Sequence, residues 1–180
     1  MHNDHARISS LSGNREERIQ KIKQQRFTDV EMIIEQIDDP HNIGAILRTC
    51  DAVGIQTVHL IYEKTRPPRL KELKTGSAAS ATKWLTINKW HSAKECIADI
   101  KSRGLTAYVT ALDPRGQPHF SYDFTQPCAI IMGNEKDGIS SSLLSLSDKI
   151  IAIPMRGFVQ SLNVSVAAAV VMYEVLRQRS

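Results

Sequence analysis

Three short stretches of the chain gather side chains able to bind a polar substrate and act on it. In "NIGAILRTCDAVG" (42–54), Asn42 is followed by Arg48. "GNEKDG" (133–138) holds Gly133, Asn134, Glu135, Lys136 and Gly138. The stretch from Pro154 to Ser165 carries Gly157, Gln160, Ser161, Asn163 and Ser165. An arginine offers a fork of donors suited to a phosphate, yet it stays charged and is a poor unaided base. Asn42, Glu135 and Asn163 add neutral or acceptor groups, and glycines let backbone approach a ligand. Each stretch also has a plain structural reading. Arg48 could lie along its helix or pair with Asp51 three residues on. "GNEKDG" could be an ordinary glycine-rich turn, and Ser161 could be only a helix cap. Taken together, the three stretches point to a site.

The elements around these stretches alternate. Helical spacing or strand-like runs predict a helix over 15–26, a strand over 30–37 and a helix over 42–54, with Asn42 as cap and Gly54 as terminator. A strand over 57–62, a helix over 69–80, a strand over 83–88 and a helix over 92–104 follow. Strands at 106–112, 128–132 and 149–154 precede a last helix over 163–177, and 112–124 reads as a hairpin-like surface connection. This alternation predicts an α/β fold, a mostly parallel sheet flanked by helices. In such sheets ligands bind beyond the C-terminal ends of strands, where all three stretches fall.

The chain has 180 residues, 42% of them hydrophobic, enough for one domain with a real core. No run approaches the roughly 18 apolar residues of a membrane span, and "MHNDHARISS" lacks the apolar centre of a signal peptide. The expected setting is therefore the cytoplasm. Cys50, Cys96 and Cys128 read as reduced, buried small hydrophobes. They and the six scattered histidines form no zinc spacing, so no metal is expected. The net charge is only +4, but the positive charge is concentrated. Arg15, Arg18, Lys21, Lys23 and Arg26 form one patch, and Lys64, Arg66, Arg69, Lys71 and Lys74 form another around Pro67-Pro68. Solubility explains either patch alone; two of them raise nucleic acid or an acidic ligand as a partner. No Gly-x-Gly-x-x-Gly follows a strand, which counts against a dinucleotide fold, and no phosphate-loop lysine motif occurs, which removes the phosphate-loop nucleotide hydrolases.

The three stretches, with "TGSAASATKW" (75–84), resemble the motifs of the SpoU/TrmH-type 2'-O-ribose methyltransferases of the SPOUT superfamily. The match consists of Asn-x-Gly-x-x-x-Arg from Asn42, Gly-x-Glu from Gly133, and Pro-Met-x-Gly-x-x-x-Ser-Leu-Asn-Val-Ser from Pro154. "AILRTCDAVG", the basic N-terminal helix and "VQSLNVSVAAAV" are most similar to the branch acting on guanosine 18 of tRNA. Asn134 stands where an alanine is common in that branch.

The resemblance implies S-adenosylmethionine as cofactor, RNA (tRNA first) as partner, a homodimer, and a C-terminal deep trefoil knot that ordinary topology rules would not predict. It divides the chain into a basic helical extension (1–28) and a methyltransferase domain (29–180). It implies a donor pocket of Leu112, Gly133, Glu135, Ile153, Met155, Ser161 and Leu162. Arg48 would act on the ribose hydroxyl together with a substrate phosphate, with Asn42, Asn163, Glu135 and Ser161 shaping the reaction centre. The basic patches would contact RNA phosphates. Methylation of ribosomal RNA or another tRNA position, and a non-catalytic RNA-binding protein of the same fold, are the alternatives.

Overall fold

In β1 (Phe27–Glu35) six consecutive buried residues, Val30 to Glu35, mark a strand covered on both faces. The computed structural model describes residues 15–67 and 82–180, with Arg18 placed by its backbone alone. The expected helix over 69–80, with Arg69, Lys71 and Lys74, lies outside the described residues. Around β1 the strands β2 (Ile55–Ile61), β3 (Thr86–Trp90), β4 (Thr106–Thr110), β5 (Gln117–Pro118), β6 (Cys128–Met132) and β7 (Lys149–Ala152) complete one sheet. Its order is β3-β2-β1-β6-β4-β7-β5, and every pairing is parallel. The chain belongs to the α/β class, as its alternation predicts.

Period-2 side chains divide the core. Met32 and Ile34 meet α2 (Pro40–Val53) through Ile43, Ile46, Leu47 and Cys50, and α5 (Val164–Gln178) through Ala168, Val171, Met172 and Val175. Cys50 Sγ lies 3.6 Å from Met172 Sδ, so α2 and α5 pack side by side. Ile33, Ala129 and Ile131 face the other way, against α3 (Ala93–Ser102) and α4 (Ser141–Leu146). Each such fully buried aliphatic side chain contributes about 1.5–3 kcal/mol. Cys50, Cys96 and Cys128 are free and buried, and burial pushes the Cys96 and Cys128 thiols up to about 12. Of the three consecutive alanines in α5, Ala168 is fully buried in this core.

Helix ends differ from expectation in an instructive way. α2 begins at Pro40, and Asp39 caps it by accepting from His41 N at 2.8 Å, so Asn42 is not the cap. Proline suits the first helical position because its missing N–H costs nothing there. Gly54 does end α2, at φ 94, a left-handed conformation natural to glycine. α5 is capped by Asn163, which accepts from Ser165 N, and not by Ser161. The 112–124 connection hides β5, which pairs in parallel with β7. The helix α4, capped by Ser140, has too short an apolar pattern to announce itself. α1 (Arg15–Gln24) forms as expected, although Ile22 is 45% exposed.

A buried polar cluster sits inside the sheet. Glu31 accepts from Arg103 Nη1 and Nη2 at 2.5 and 2.8 Å and bonds His59 Nε2 at 2.7 Å. Trp90 Nε1 donates to His59 Nδ1 at 2.9 Å, which leaves the proton of the ring on Nε2, facing Glu31. Burial alone would raise the Glu31 carboxyl, but the hydrogen bonds from Arg103 and His59 outweigh it and hold the group at about 2.

Candidate active site

The C-terminal ends of β1, β4, β6 and β7 release the chain on one edge of the sheet, and there the three motif stretches meet. A cavity of about 680 Å³ opens among them, within the size range of small-molecule sites. Its walls include Leu112, Gly133, Glu135, Ile153, Met155, Ser161 and Leu162, all seven residues expected to hold a cofactor. Leu112 is 77% exposed. Apolar wall comes from Met132, Ile151, Val164 and Ala167, residues on or beside the strand and helix ends. At Gly133 an added Cβ would stand 2.5 Å from Gly138 O, so only glycine lets this turn close.

The motif side chains form a hydrogen-bonded line beside the cavity. Asn42 Nδ2 donates to Glu135 Oε1 at 2.7 Å, and Asn163 Nδ2 donates to Asn42 Oδ1 at 3.0 Å. Asp38 N donates to the other Glu135 oxygen at 3.4 Å. Asn163 Oδ1 accepts from Ser165 N and Oγ at 2.9 and 2.6 Å, which caps α5. Two neutral amides and one carboxylate are thus fixed in orientation, a suitable arrangement for positioning a hydroxyl.

Arg48 stands apart from this line. It is exposed on α2 and makes no hydrogen bond or ion pair among the described residues. The alternative pairing with Asp51 does not occur, because Asp51 is taken by Arg26. Arg26 departs from the expectation of an RNA contact: its side chain is 5% exposed, tied to Asp51 and to Ile55 O. Arg15, Lys21, Lys23 and Arg66 are exposed.

Two further acidic residues stand out in the structure. Asp113 lines the cavity while accepting from Arg115, whose guanidinium and backbone N–H hold its carboxyl down at about 2. Glu35, buried at the end of β1, accepts from Ser140 N and Oγ at 2.8 and 2.5 Å and ties β1 to the start of α4. A buried acid at a strand end was the available signal, since a carboxylate there needs donors. Among the described residues, no group of three or more His, Cys, Asp or Glu could hold a metal ion, and no helix is long and apolar enough to cross a membrane.

The profile of the SpoU rRNA Methylase family matches residues 29–173. A tRNA (guanosine(18)-2'-O)-methyltransferase from Thermus thermophilus is 41% identical over 165 residues, covering 92% of this chain and 83% of that one. The crystal structure of the A. aeolicus TrmH/SpoU tRNA modifying enzyme superposes with a TM-score of 0.79 at 31% identity, over 91% of this chain and 83% of that one. The SpoU methyltransferase AviRb from Streptomyces viridochromogenes, in complex with the cofactor AdoMet, gives 0.73 at 28% identity, over 86% and 58%. From Asp29 on β1 to Tyr173 on α5 the match takes in every motif that meets at the cavity, and the chain belongs to the SpoU rRNA Methylase family.

Proposed function

We propose that the chain transfers the methyl group of S-adenosylmethionine to the ribose 2'-hydroxyl of guanosine 18 in tRNA, acting in the cytoplasm. The observation that carries this reading is the line Glu135–Asn42–Asn163, which joins the three motifs beside a cavity of fitting size. The name of the T. thermophilus relative supports the choice of nucleotide. Leu112, Gly133, Glu135, Ile153, Met155, Ser161 and Leu162 would hold the donor, with the close Gly133–Gly138 turn bringing backbone to the wall. Bound there, S-adenosylmethionine supplies an electrophilic sulfonium methyl.

The chain's own task is to place the hydroxyl and dispose of its proton. Arg48 presents its donors to an RNA phosphate and polarises the hydroxyl, whose proton leaves to that phosphate. Asn42 and Asn163 orient the ribose, and Glu135 keeps the Asn42 amide turned so that its carbonyl oxygen meets Asn163. Arg48→Ala should reduce transfer by about 100-fold or more while donor affinity changes little. Single-turnover transfer from tritiated donor reads this directly, and a wild-type rate on the true RNA would sink the assignment.

Residues 1–28 serve as the basic extension to the domain at 29–180. Arg15, Lys21, Lys23 and Arg66, with Arg18, Arg69, Lys71 and Lys74 beyond the described side chains, contact phosphates; such contacts place RNA without reading bases. Affinity for tRNA should then fall steeply with added salt. Two arrangements around the C-terminus complete the reading. β5 lies outside β7, so the connection from β4 to β6 passes around the strand leading to α5. Gln178 and Arg179 are bonded to Tyr122, Phe124 and Gln126 of that connection. Both features support a C-terminal segment threaded as a trefoil knot, which a crystallographic chain trace tests. Val166 and Tyr173 expose an apolar strip on α5, at 49% and 53%, near the exposed Phe158 and Val159 of the 154–163 loop in sequence. A second copy of the chain covers it in a homodimer.

The family's description, which speaks of rRNA, favours a second reading on ribosomal RNA. Purified protein, tritiated donor and tRNA with 2'-deoxyguanosine at position 18 separate the two. Transfer should vanish with that substitution, and methylation persisting there, or appearing only on ribosomal RNA, overturns the tRNA assignment.

A further inference from the structure

We infer that Asn134 is a positioning residue for methyl transfer, clasping the turn that walls the donor cavity to the loop that launches the Arg48 helix. Its Nδ2 donates to Gln36 O at 2.6 Å and to Asp38 Oδ2 at 3.3 Å. Its Oδ1 accepts from Lys136 N at 2.8 Å and Asp137 N at 3.1 Å. These partners fix the amide's orientation chemically, because Gln36 O can only accept and the two N–H groups can only donate. Its backbone pairs with Gly138 in both directions at 2.9 and 3.0 Å, closing the turn that needs Gly133.

The opposite side of the clasp is also built for it. Gln36 has φ 48, the single left-handed non-glycine among the described residues. It is held there by Gln36 N donating to Ile61 O and Lys64 N donating to its Oε1, both at 3.0 Å. A residue kept in that conformation needs surrounding structure to over-determine it. Beyond Gln36 the chain runs through Asp38 and the cap Asp39 directly into α2. The wall of the cavity and the base of the arginine helix are therefore one hydrogen-bonded unit. A slack clasp leaves the donor pocket intact but lets α2 drift, and a displacement near 1 Å in a reacting group costs about 100-fold in rate.

The inference rests on the reading of this cavity as the donor site and of Arg48 as the group acting at the hydroxyl. Asn134→Asp separates the two sides. A carboxylate still accepts from Lys136 N and Asp137 N, but it faces Gln36 O and Asp38 Oδ2 with no donor. Affinity for S-adenosylhomocysteine by calorimetry should stay within about threefold of wild type, while kcat on tRNA falls about 30-fold. Adding Asp38→Asn places an amide donor opposite the new carboxylate but leaves Gln36 O without one, so kcat should recover only in part, by about threefold. An unchanged kcat or an equal loss of donor affinity overturns the clasp. Should the Asn134→Asp protein fail to fold, hydrogen exchange on the wild-type protein decides. S-adenosylhomocysteine should slow exchange across 36–42 as well as 133–139, and protection confined to 133–139 overturns the proposal. A wild-type rate for Arg48→Ala would instead defeat the site reading, so the two failures are distinguishable.

Discussion

Asn163 carries two duties through two different atoms. Its Oδ1 caps α5, and its Nδ2 reaches Asn42. Losing a cap of this kind costs about 1 kcal/mol. Asn163→Ala should therefore melt earlier and transfer methyl poorly. Asn163→Asp keeps the acceptor that caps the helix but has no donor for Asn42. It should melt as wild type and still lose about tenfold or more in transfer. Thermal melts beside single-turnover rates check both, and equal losses in melting would show that the residue acts through the helix alone. Ser161 illustrates how a residue's place became clear only in three dimensions: it lines the cavity, while the capping duty falls to Asn163. Asn-Val-Ser and Ser-Leu-Asn both read as helix starts, and local propensity ranks serine and asparagine alike.

At the scale of elements, β1 is the strand on which the fold and the site both depend. Its side chains toward α2 are purely apolar, whereas the face toward α3 carries Glu31 and Glu35. Glu35 ties β1 to the start of α4 through Ser140, and Glu31 serves stability through Arg103 and His59. The folded Glu31 carboxyl, at about 2, lies below its ordinary value. The stability it contributes is complete above that ordinary value, about 4.3 in an unfolded chain, and is lost as pH falls from there through the folded value. Glu31→Gln should lower stability at pH 7 by about 2 kcal/mol, a figure reduced because the Arg103 side chain is 40% exposed. Denaturant melts should then show the gap between wild type and variant narrowing from pH 5 toward pH 2.5. A gap constant with pH would mean that the carboxylate charge is irrelevant. The two acids interrupt an otherwise apolar run, so their positions were legible, but their partners were not. Arg103 is 72 residues away from Glu31, and Ser140 is 105 away from Glu35.

The whole molecule adds what no element contains. Parallel strands cannot be joined by tight turns, so neighbours in the sheet are distant in sequence, and β1 sits between β2 and β6. That arrangement sets the three motifs side by side. It also leaves the Val166–Tyr173 strip of α5 without cover in a single chain. Tyr173→Glu should convert a dimer into monomers in light scattering, and a monomeric wild-type protein would remove the proposal.

By itself the sequence determined the class of fold, most element positions and the three motif loops, because periodicity, glycine placement and motif spacing are local properties; the residues around the cavity came from the family resemblance. Local reading also placed Arg26 among exposed cations, since nothing near it in sequence announces Asp51 or the Ile55 carbonyl. Only the tertiary structure decided the strand order, the partners of Glu31 and Glu35, and the bonds that tie Asn42 to Glu135 across 93 residues and Asn163 to Asn42 across 121. The reason is physical: a hydrogen bond depends on distance in space, and the chain carries no local mark of which distant donor a buried acceptor will meet.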